Sequence, residues 1–346
     1  MLRIHMPKSF LEMVREKAKS APARIVFPET FDPRTLQAVA RIKNDGTAHP
    51  VLIGVPEKLA ADFVALGLSG DISGYTIVDM EHDDARRTRY AQAFFELRKD
   101  KGMTLEAATK LMSDRNYFGV MMVKEGDADG LISGANVAST ETLRPALQII
   151  RTKEKFHKVS GFFFMVLENR LLLFADCMVN IEPNSRELAE IAIDTAETAK
   201  RFGIEPRIAM LSFSTNGSAK TPGAERVREA TEMVRDMRPD LVCEGEMQVD
   251  AALVPEVSAK KFPNSRVPGN ANILIFPNLE AANISYKLVE RLGHAEAIGP
   301  ILQGMQKPIN DLSRGCGVQD IVDLATITTI EVQEAELAAH NVTSIT

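Results

Sequence analysis

Asp129-Gly130-Leu131-Ile132-Ser133-Gly134-Ala135-Asn136-Val137-Ala138-Ser139-Thr140 runs from a short apolar segment into small and hydroxyl residues, and then into the amphipathic segment Thr140–Ile150. Strand, turn and helix follow one another, and in α/β sheets ligands bind outside the strand ends from which such turns leave. The same grammar recurs outward from this stretch. Short apolar or β-branched runs bounded by Pro, Gly or Asp occur at Arg24–Phe27, Val51–Gly54, Thr76–Val78, Gly130–Ser133, Ile208–Ser212, Leu241–Cys243 and Asn272–Phe276, and read as buried strands. Between them lie helix-length amphipathic segments: Pro33–Asp45, Ala85–Lys101, Thr140–Ile150, Ser185–Phe202, Gly223–Met237 and Leu279–Leu292. Alternation of this kind predicts α/β architecture with parallel sheets covered on both faces. At Ser185–Phe202, Asn184 with Glu187 forms a capping-box pattern and Gly203 stops the helix. Ser160–Leu167 and Arg170–Ala175, separated by Glu168-Asn169, predict an antiparallel hairpin that interrupts the parallel pattern.

The chain has 346 residues, 45% hydrophobic and 25% charged, enough for about two domains with cores of their own. A boundary is expected near residue 150. A second crossing near residue 300, where Gly299-Pro300 and Gly304 break the pattern, would return the last helix to the first domain. The expected division is thus 1–150 plus 300–346 as one α/β domain and 151–299 as the other, with the active site in the cleft between them. Gln319–Thr346 reads as mainly helical with a polar tail.

The net charge of -6 gives no global positive field, so nucleic acid is not an expected partner and an anionic ligand must be held by local basic groups. Met1–Ser20 is a charged amphipathic stretch and not a signal peptide. No run approaches the 18 or more apolar residues of a membrane span, so no membrane partner is expected. Three scattered cysteines, Cys177, Cys243 and Cys316, predict neither a disulfide framework nor a zinc site and suit a reducing cytoplasm. Among six histidines there is no HExxH pair, and the chain lacks a GxxxxGK[ST] loop and a GxSxG elbow. No metal site, nucleotide hydrolysis or serine-hydrolase triad is expected.

The densest chemistry lies in Asn310-Asp311-Leu312-Ser313-Arg314-Gly315-Cys316-Gly317-Val318-Gln319-Asp320. Gly315 and Gly317 let backbone approach a ligand, and a helix beginning near Val318 would turn its amides toward an anion. Arg314 offers a two-pronged grip on phosphate, Ser313 a donor to an oxyanion, and Asp320, given burial, a proton acceptor. The same residues fit a plainer arrangement in which Asp320 caps the helix and Ser313 closes a turn. Around Gly130–Thr140, Ser133, Gly134, Ser139 and Thr140 could present hydroxyls and amides to phosphate, with Arg144 one turn further on, or Ser139 could simply cap a helix. Arg98-Lys99-Asp100-Lys101 reads either as a solvated helix end or as a seat for a phosphate-rich cofactor.

At Asn310–Asp320 the sequence resembles the phosphate acetyltransferase family, whose signature has this Asp-Leu-Ser-Arg-Gly-Cys run before an acidic residue. Phe27-Pro28-Glu29, Asp129–Thr140 with Leu143-Arg144-Pro145-Ala146, Asp176–Asn180, Phe213–Lys220, Glu244–Asp250 and Pro268–Asn283 resemble it too, in order, over nearly the whole chain. The resemblance implies two three-layer α/β/α domains related to isocitrate and isopropylmalate dehydrogenases, usually as a homodimer, and a short form without further regulatory domains. It implies reversible transfer of acetyl between acetyl phosphate and coenzyme A, both bound as substrates, with phosphate as co-product and no tightly bound cofactor. Ser313, Arg314 and Asp320 match the family's catalytic positions, and Arg98 and Arg144 its substrate arginines. The implied step is direct thiol attack in a ternary complex: Asp320 takes the thiol proton, Ser313 steadies the oxyanion and Arg314 holds the departing phosphate. Cys316, with no histidine nearby in sequence, is expected to pack and not to act as nucleophile. Two other readings share these residues, a butyryl-transferring relative and a non-catalytic acetyl-coenzyme A sensor.

Overall fold

The structure, a computed structural model, describes residues 10–153 and 158–343. The first nine residues of the amphipathic start and the last three of the polar tail lie outside the described residues. The strands, in chain order, are β1 (Ala23–Phe27), β2 (Ala48–Ile53), β3 (Thr76–Val78), β4 (Gly130–Ser133), β5 (Ser160–Leu167), β6 (Arg170–Ala175), β7 (Arg207–Leu211), β8 (Val242–Met247), β9 (Ile273–Ile275), β10 (Glu296–Gln303) and β11 (Ile309–Asp311). Two compact units result: Met1–Thr152 with Met305–Thr346, and Lys153–Gly304.

The first unit holds a five-stranded sheet in the order β11-β4-β1-β2-β3, and every pairing in it is parallel. Successive side chains of a strand point to opposite faces. Ile25 accordingly faces Thr328 of the helix Val318–Thr343, whereas Val26 and Leu131 face Gly119 of the helix Arg115–Glu125. Gly119 is there for want of space: a Cβ would stand 2.7 Å from Leu131 Cδ1. Burying each of these aliphatic side chains contributes roughly 1.5–3 kcal/mol.

In the second unit six strands run in the order β10-β5-β6-β9-β7-β8. β5 and β6 form the expected antiparallel hairpin, with Leu167 opposite Arg170, while β6, β9, β7 and β8 are mutually parallel. Alternation again divides the faces. Phe164 meets Phe202 at the end of the helix Ser185–Arg201, with ring centroids 5.0 Å apart. Phe163 stacks at 4.3 Å on Tyr286 of the helix Leu279–Gly293.

Three differences from the sequence reading have physical causes. β2 begins at Ala48, ahead of Pro50, because β3 pairs only from Val51 onward, so the N–H that proline lacks would have had no acceptor on that side. Gly299-Pro300 does not end the pattern. It sits inside β10, an edge strand whose register on β5 shifts between Ile298 and Ile301. The helices Pro56–Ala65, Leu105–Leu111 and Arg115–Glu125 were not expected. In the last of these every residue from Asn116 to Val123 is buried, so no polar stripe marks it as a helix. Among the described residues no helix is long and apolar enough to cross a membrane, and no group of three or more His, Cys, Asp or Glu is placed to hold a metal ion.

Candidate active site

β11 lies beside β4 with Asp311 opposite Ser133, so two stretches far apart in sequence end side by side. The Leu312 N–H donates to Ser133 O at 2.7 Å. The loop leaving β4 is held by Glu29, in the loop after β1, which is buried and accepts the N–H groups of Ala135, Asn136 and Val137 at 2.8, 2.9 and 3.0 Å. Three amides that an incoming anion would want are thus already bonded to a carboxylate of the chain itself.

Asp32 and Arg34 tie this loop to the signature. Arg34 donates to Ala135 O at 2.6 Å and to the carbonyls of Arg314 and Cys316 at 2.9 Å each, while its other edge grips Asp32. Burial pushes the Asp32 carboxyl up, but hydrogen bonds from Arg34 and Asn136 outweigh it and hold Asp32 below the usual carboxylate range. The sequence shows Asp32-Pro33-Arg34 only as a helix start, and Asp32 does cap that helix through Arg34 N. Nothing local reveals that the guanidinium spans the two loops.

Ser313, Arg314 and Asp320 are all exposed. Ser313 Oγ accepts Gly315 N–H at 3.3 Å, which leaves its own hydrogen free to be donated. The Arg314 side chain has no ion-pair partner among the described residues. Asp320 lies in the first turn of the helix Val318–Thr343, where its Oδ2 accepts Gly317 N–H at 2.8 Å. The burial expected to make Asp320 a stronger base is absent from the chain alone. Cys316 is buried, which pushes its thiol up to about 11 against the opposing pull of Arg34, so it stays protonated and packs.

Ser133 and Gly134 prove to be beneath the surface. Ser133 donates to Asn116 Oδ1 at 2.8 Å with both residues buried, and Gly134 turns the chain at φ +102, a left-handed conformation suited to glycine. Ser133 thus spends its hydroxyl hydrogen inside the protein, and Gly134 gives the loop its turn. Ser139 and Thr140 are exposed at the start of the helix Ser139–Ile149, whose N-cap is Ala138, so Ser139 does not cap it. Arg144 from this helix and Arg98 from the end of the helix Asp84–Arg98 converge on Tyr117. Burial raises the Tyr117 phenol, Arg144 and Arg98 pull it down, and its hydroxyl donates to Gln148 at 2.9 Å. Two arginines that lie 46 positions apart in sequence thus act on the same phenol. Arg98 is half-buried, and its Nε has no hydrogen-bond partner.

Asp311 also lacked a role in the sequence reading, although it stands inside the signature. It is fully buried at the end of β11, and neither of its carboxylate oxygens has a hydrogen-bond partner.

The parallel sheet of the first unit, with the exposed Ser313 and Arg314 on the loop after β11 and a helix start after β4, defines an α/β protein. Comparison with known proteins makes the class specific. A family model described as "Phosphate acetyl/butaryl transferase" matches residues 9–329, and the chain belongs to that family. Phosphate acetyltransferase of Thermoanaerobacterium thermosaccharolyticum is 50% identical over 332 residues, covering 94% of this chain and 100% of the relative. A crystal structure of a phosphotransacetylase from Streptococcus pyogenes superposes with a TM-score of 0.88 at 49% identity, covering 94% of this chain and 98% of that one. At the level of fold alone, the likeness extends to 4-hydroxythreonine-4-phosphate dehydrogenase from Klebsiella pneumoniae, with a TM-score of 0.52 at 11% identity over 90% of this chain and 98% of that one.

Proposed function

We propose that this chain is a phosphate acetyltransferase, an acyltransferase that moves acetyl reversibly between phosphate and the thiol of coenzyme A. The observation that carries this reading is the tie made by Arg34, which fixes the Ser313–Cys316 loop against the loop after β4 and leaves Ser313, Arg314 and Asp320 exposed. In the proposed step the thiol attacks the acetyl carbonyl directly while both substrates are bound. Asp320 accepts the thiol proton through the oxygen that Gly317 does not occupy, and bound substrate supplies the burial that strengthens it as a base. Ser313 donates to the carbonyl oxygen as it becomes an oxyanion, and Arg314 holds the phosphate that leaves with the electron pair of the broken C–O bond. Ser139 and Thr140, at the start of their helix, receive the phosphoryl group; Ser133 and Gly134 contribute by shaping that loop.

Arg98 and Arg144 form the anionic seat for coenzyme A, which is a substrate here; the reaction as written needs no tightly bound cofactor. Three free, buried cysteines suit a reducing cytoplasm. A second copy of the chain is the partner that fits the apolar groove of the second unit, where Leu211, Phe174 and Phe276 form the floor and Phe213, Val249 and Leu288 are exposed around it.

The test is a metal-free assay of thioester formation from coenzyme A with acetyl, propionyl or butyryl phosphate. Fast turnover with acetyl phosphate that declines with chain length supports the reading. Preference for butyryl phosphate, or coenzyme A binding without turnover of any of the three, overturns it.

A further inference from the structure

Asp311 is the one acidic residue of the signature stretch that the proposed step does not use, and its setting calls for a reason. A buried carboxylate without a partner is costly, and such groups in folded proteins ask for an explanation. Thr142 of the helix Ser139–Ile149 is fully buried, and its hydroxyl and that of Ser139 lie near enough to pull the Asp311 carboxyl down, although neither makes a hydrogen bond of ordinary geometry to it. Gly134 makes the room, for a Cβ there would stand 2.4 Å from Asp311 Oδ1. A carboxylate and an unused hydroxyl therefore lie behind a helix start whose first residue, Ser139, is exposed on its other side.

A serine hydroxyl has a single hydrogen. Turned inward to an ionised Asp311, it leaves only lone pairs facing out, which repel a phosphoryl oxygen. When Asp311 carries a proton it can itself donate to the Ser139 oxygen, and the serine hydrogen is released outward. We propose that Asp311 is a positioning residue: it takes up a proton from solvent when a phosphoryl group arrives and thereby turns Ser139 into a donor to that group. This rests on the assignment of Ser139 to the phosphoryl seat.

The groups facing Asp311 agree with this. From the loop after β1 comes Glu29, whose negative charge raises the carboxyl; from the helix Ser139–Ile149 come only the two hydroxyls; from the end of β4 comes Gly134, which has no side chain. On the helix Val318–Thr343, Glu331 is bonded by Asn310 of the same strand. No cation is among the groups that bear on Asp311, and a proton is what offsets its charge. Burial, with Glu29 adding to it, places the carboxyl at about 6, poised for uptake near neutrality.

The experiment is calorimetric titration of the full-length protein with inorganic phosphate near pH 7, in buffers of different ionisation enthalpy, which counts protons taken up per phosphate bound. The wild type should take up more than Asp311→Asn, by a difference approaching one proton per site, because the carboxamide is a permanent donor and does not titrate. Phosphate's own titration is common to both proteins and cancels. The ratio of Asp311→Asn to wild-type affinity should rise about threefold or more from pH 6 to pH 8. Ser139→Ala, at an exposed position, is the second variant and should lose the extra uptake while staying folded. Equal uptake by wild type and Asp311→Asn, or full uptake by Ser139→Ala, overturns the proposal and leaves the acetyltransferase reading standing. A wild type that binds no phosphate at millimolar concentration overturns both.

Discussion

Asp311→Asn should make the unliganded protein more stable, and by an amount that depends on pH in a calculable way. The carboxyl is moved from 3.8 to about 6, mainly by burial, with Ser139 and Thr142 pulling it down and Glu29 pushing it up. A raised carboxyl favours the folded state only while it is protonated. Below about pH 3 it is protonated in both folded and unfolded chains and its shift costs nothing. Between about pH 4 and pH 6 the unfolded chain gives up its proton while the folded chain keeps it, so stability falls as pH rises. Above pH 6 the whole penalty is present. At about 1.4 kcal/mol per pH unit, the interval from 3.8 to about 6 corresponds to about 3 kcal/mol. Asparagine is nearly isosteric and does not titrate. The difference in unfolding free energy between variant and wild type should therefore be about 2.4 kcal/mol larger at pH 7.5 than at pH 4, where the unfolded carboxyl is already more than half ionised, since every other titration is shared. Denaturant unfolding of both proteins at a series of pH values measures it, with equal m-values as the check that the unfolded state is unchanged. A difference independent of pH would falsify the assignment of Asp311 as a buried, unpaired acid.

Four further outcomes follow from the geometry. Arg34→Ala removes the guanidinium from a buried carboxylate and from three carbonyls, and should cost about 3 kcal/mol in a denaturation curve and at least tenfold in kcat/KM; Arg34→Lys, with a point charge instead of a fork, should rescue little of either. Asp320→Asn should lower kcat by about a hundredfold with coenzyme A binding intact, and an unchanged rate would remove Asp320 from the proton-accepting role. Arg98→Ala and Arg144→Ala should each raise the KM for coenzyme A with little loss of kcat, whereas a fall confined to kcat would place them elsewhere in the reaction. Leu288→Arg, on the exposed rim of the apolar groove, should lower the sedimentation coefficient by disrupting the proposed pairing of two copies; an unaltered sedimentation coefficient would remove this groove as the interface.

What could be read in the sequence were features whose causes are local. The capping box at the helix Ser185–Arg201 is there in both directions, Glu187 N–H to Asn184 at 2.9 Å and Asn184 N–H to Glu187 at 3.0 Å, because two residues three apart suffice to make it. The β5–β6 hairpin was legible from a two-residue turn between two apolar runs. β10 was not, because its register shift is decided by its partner strand. Arg34 was hidden for the same reason: Asp32-Pro33-Arg34 spells a helix start, and the carbonyls it ties lie about 100 and 280 positions away. Glu29 was visible only as part of a resemblance, since nothing around Phe27-Pro28-Glu29 shows three amides converging on it.

The two readings that the sequence left open at the signature, cap and turn against catalysis, are not rivals once valences are counted. A hydroxyl can accept and still donate, and a carboxylate has two oxygens. Ser313 uses one acceptor site on Gly315 N–H, and Asp320 uses Oδ2 on Gly317 N–H, so each is oriented by its own turn. The Ser313 hydrogen and the second Asp320 oxygen remain for a substrate. Arg34 fixes the carbonyls of Arg314 and Cys316 in the same loop, leaving the Arg314 side chain as the part free to move. Groups held in this way lose little further freedom when substrate binds, and that is the condition under which positioning speeds a reaction. The plain structural bonds are thus what would make the same side chains useful chemically, and replacing Gly315 or Gly317 with proline, which removes the donor from one turn at a time, should separate orientation from chemistry.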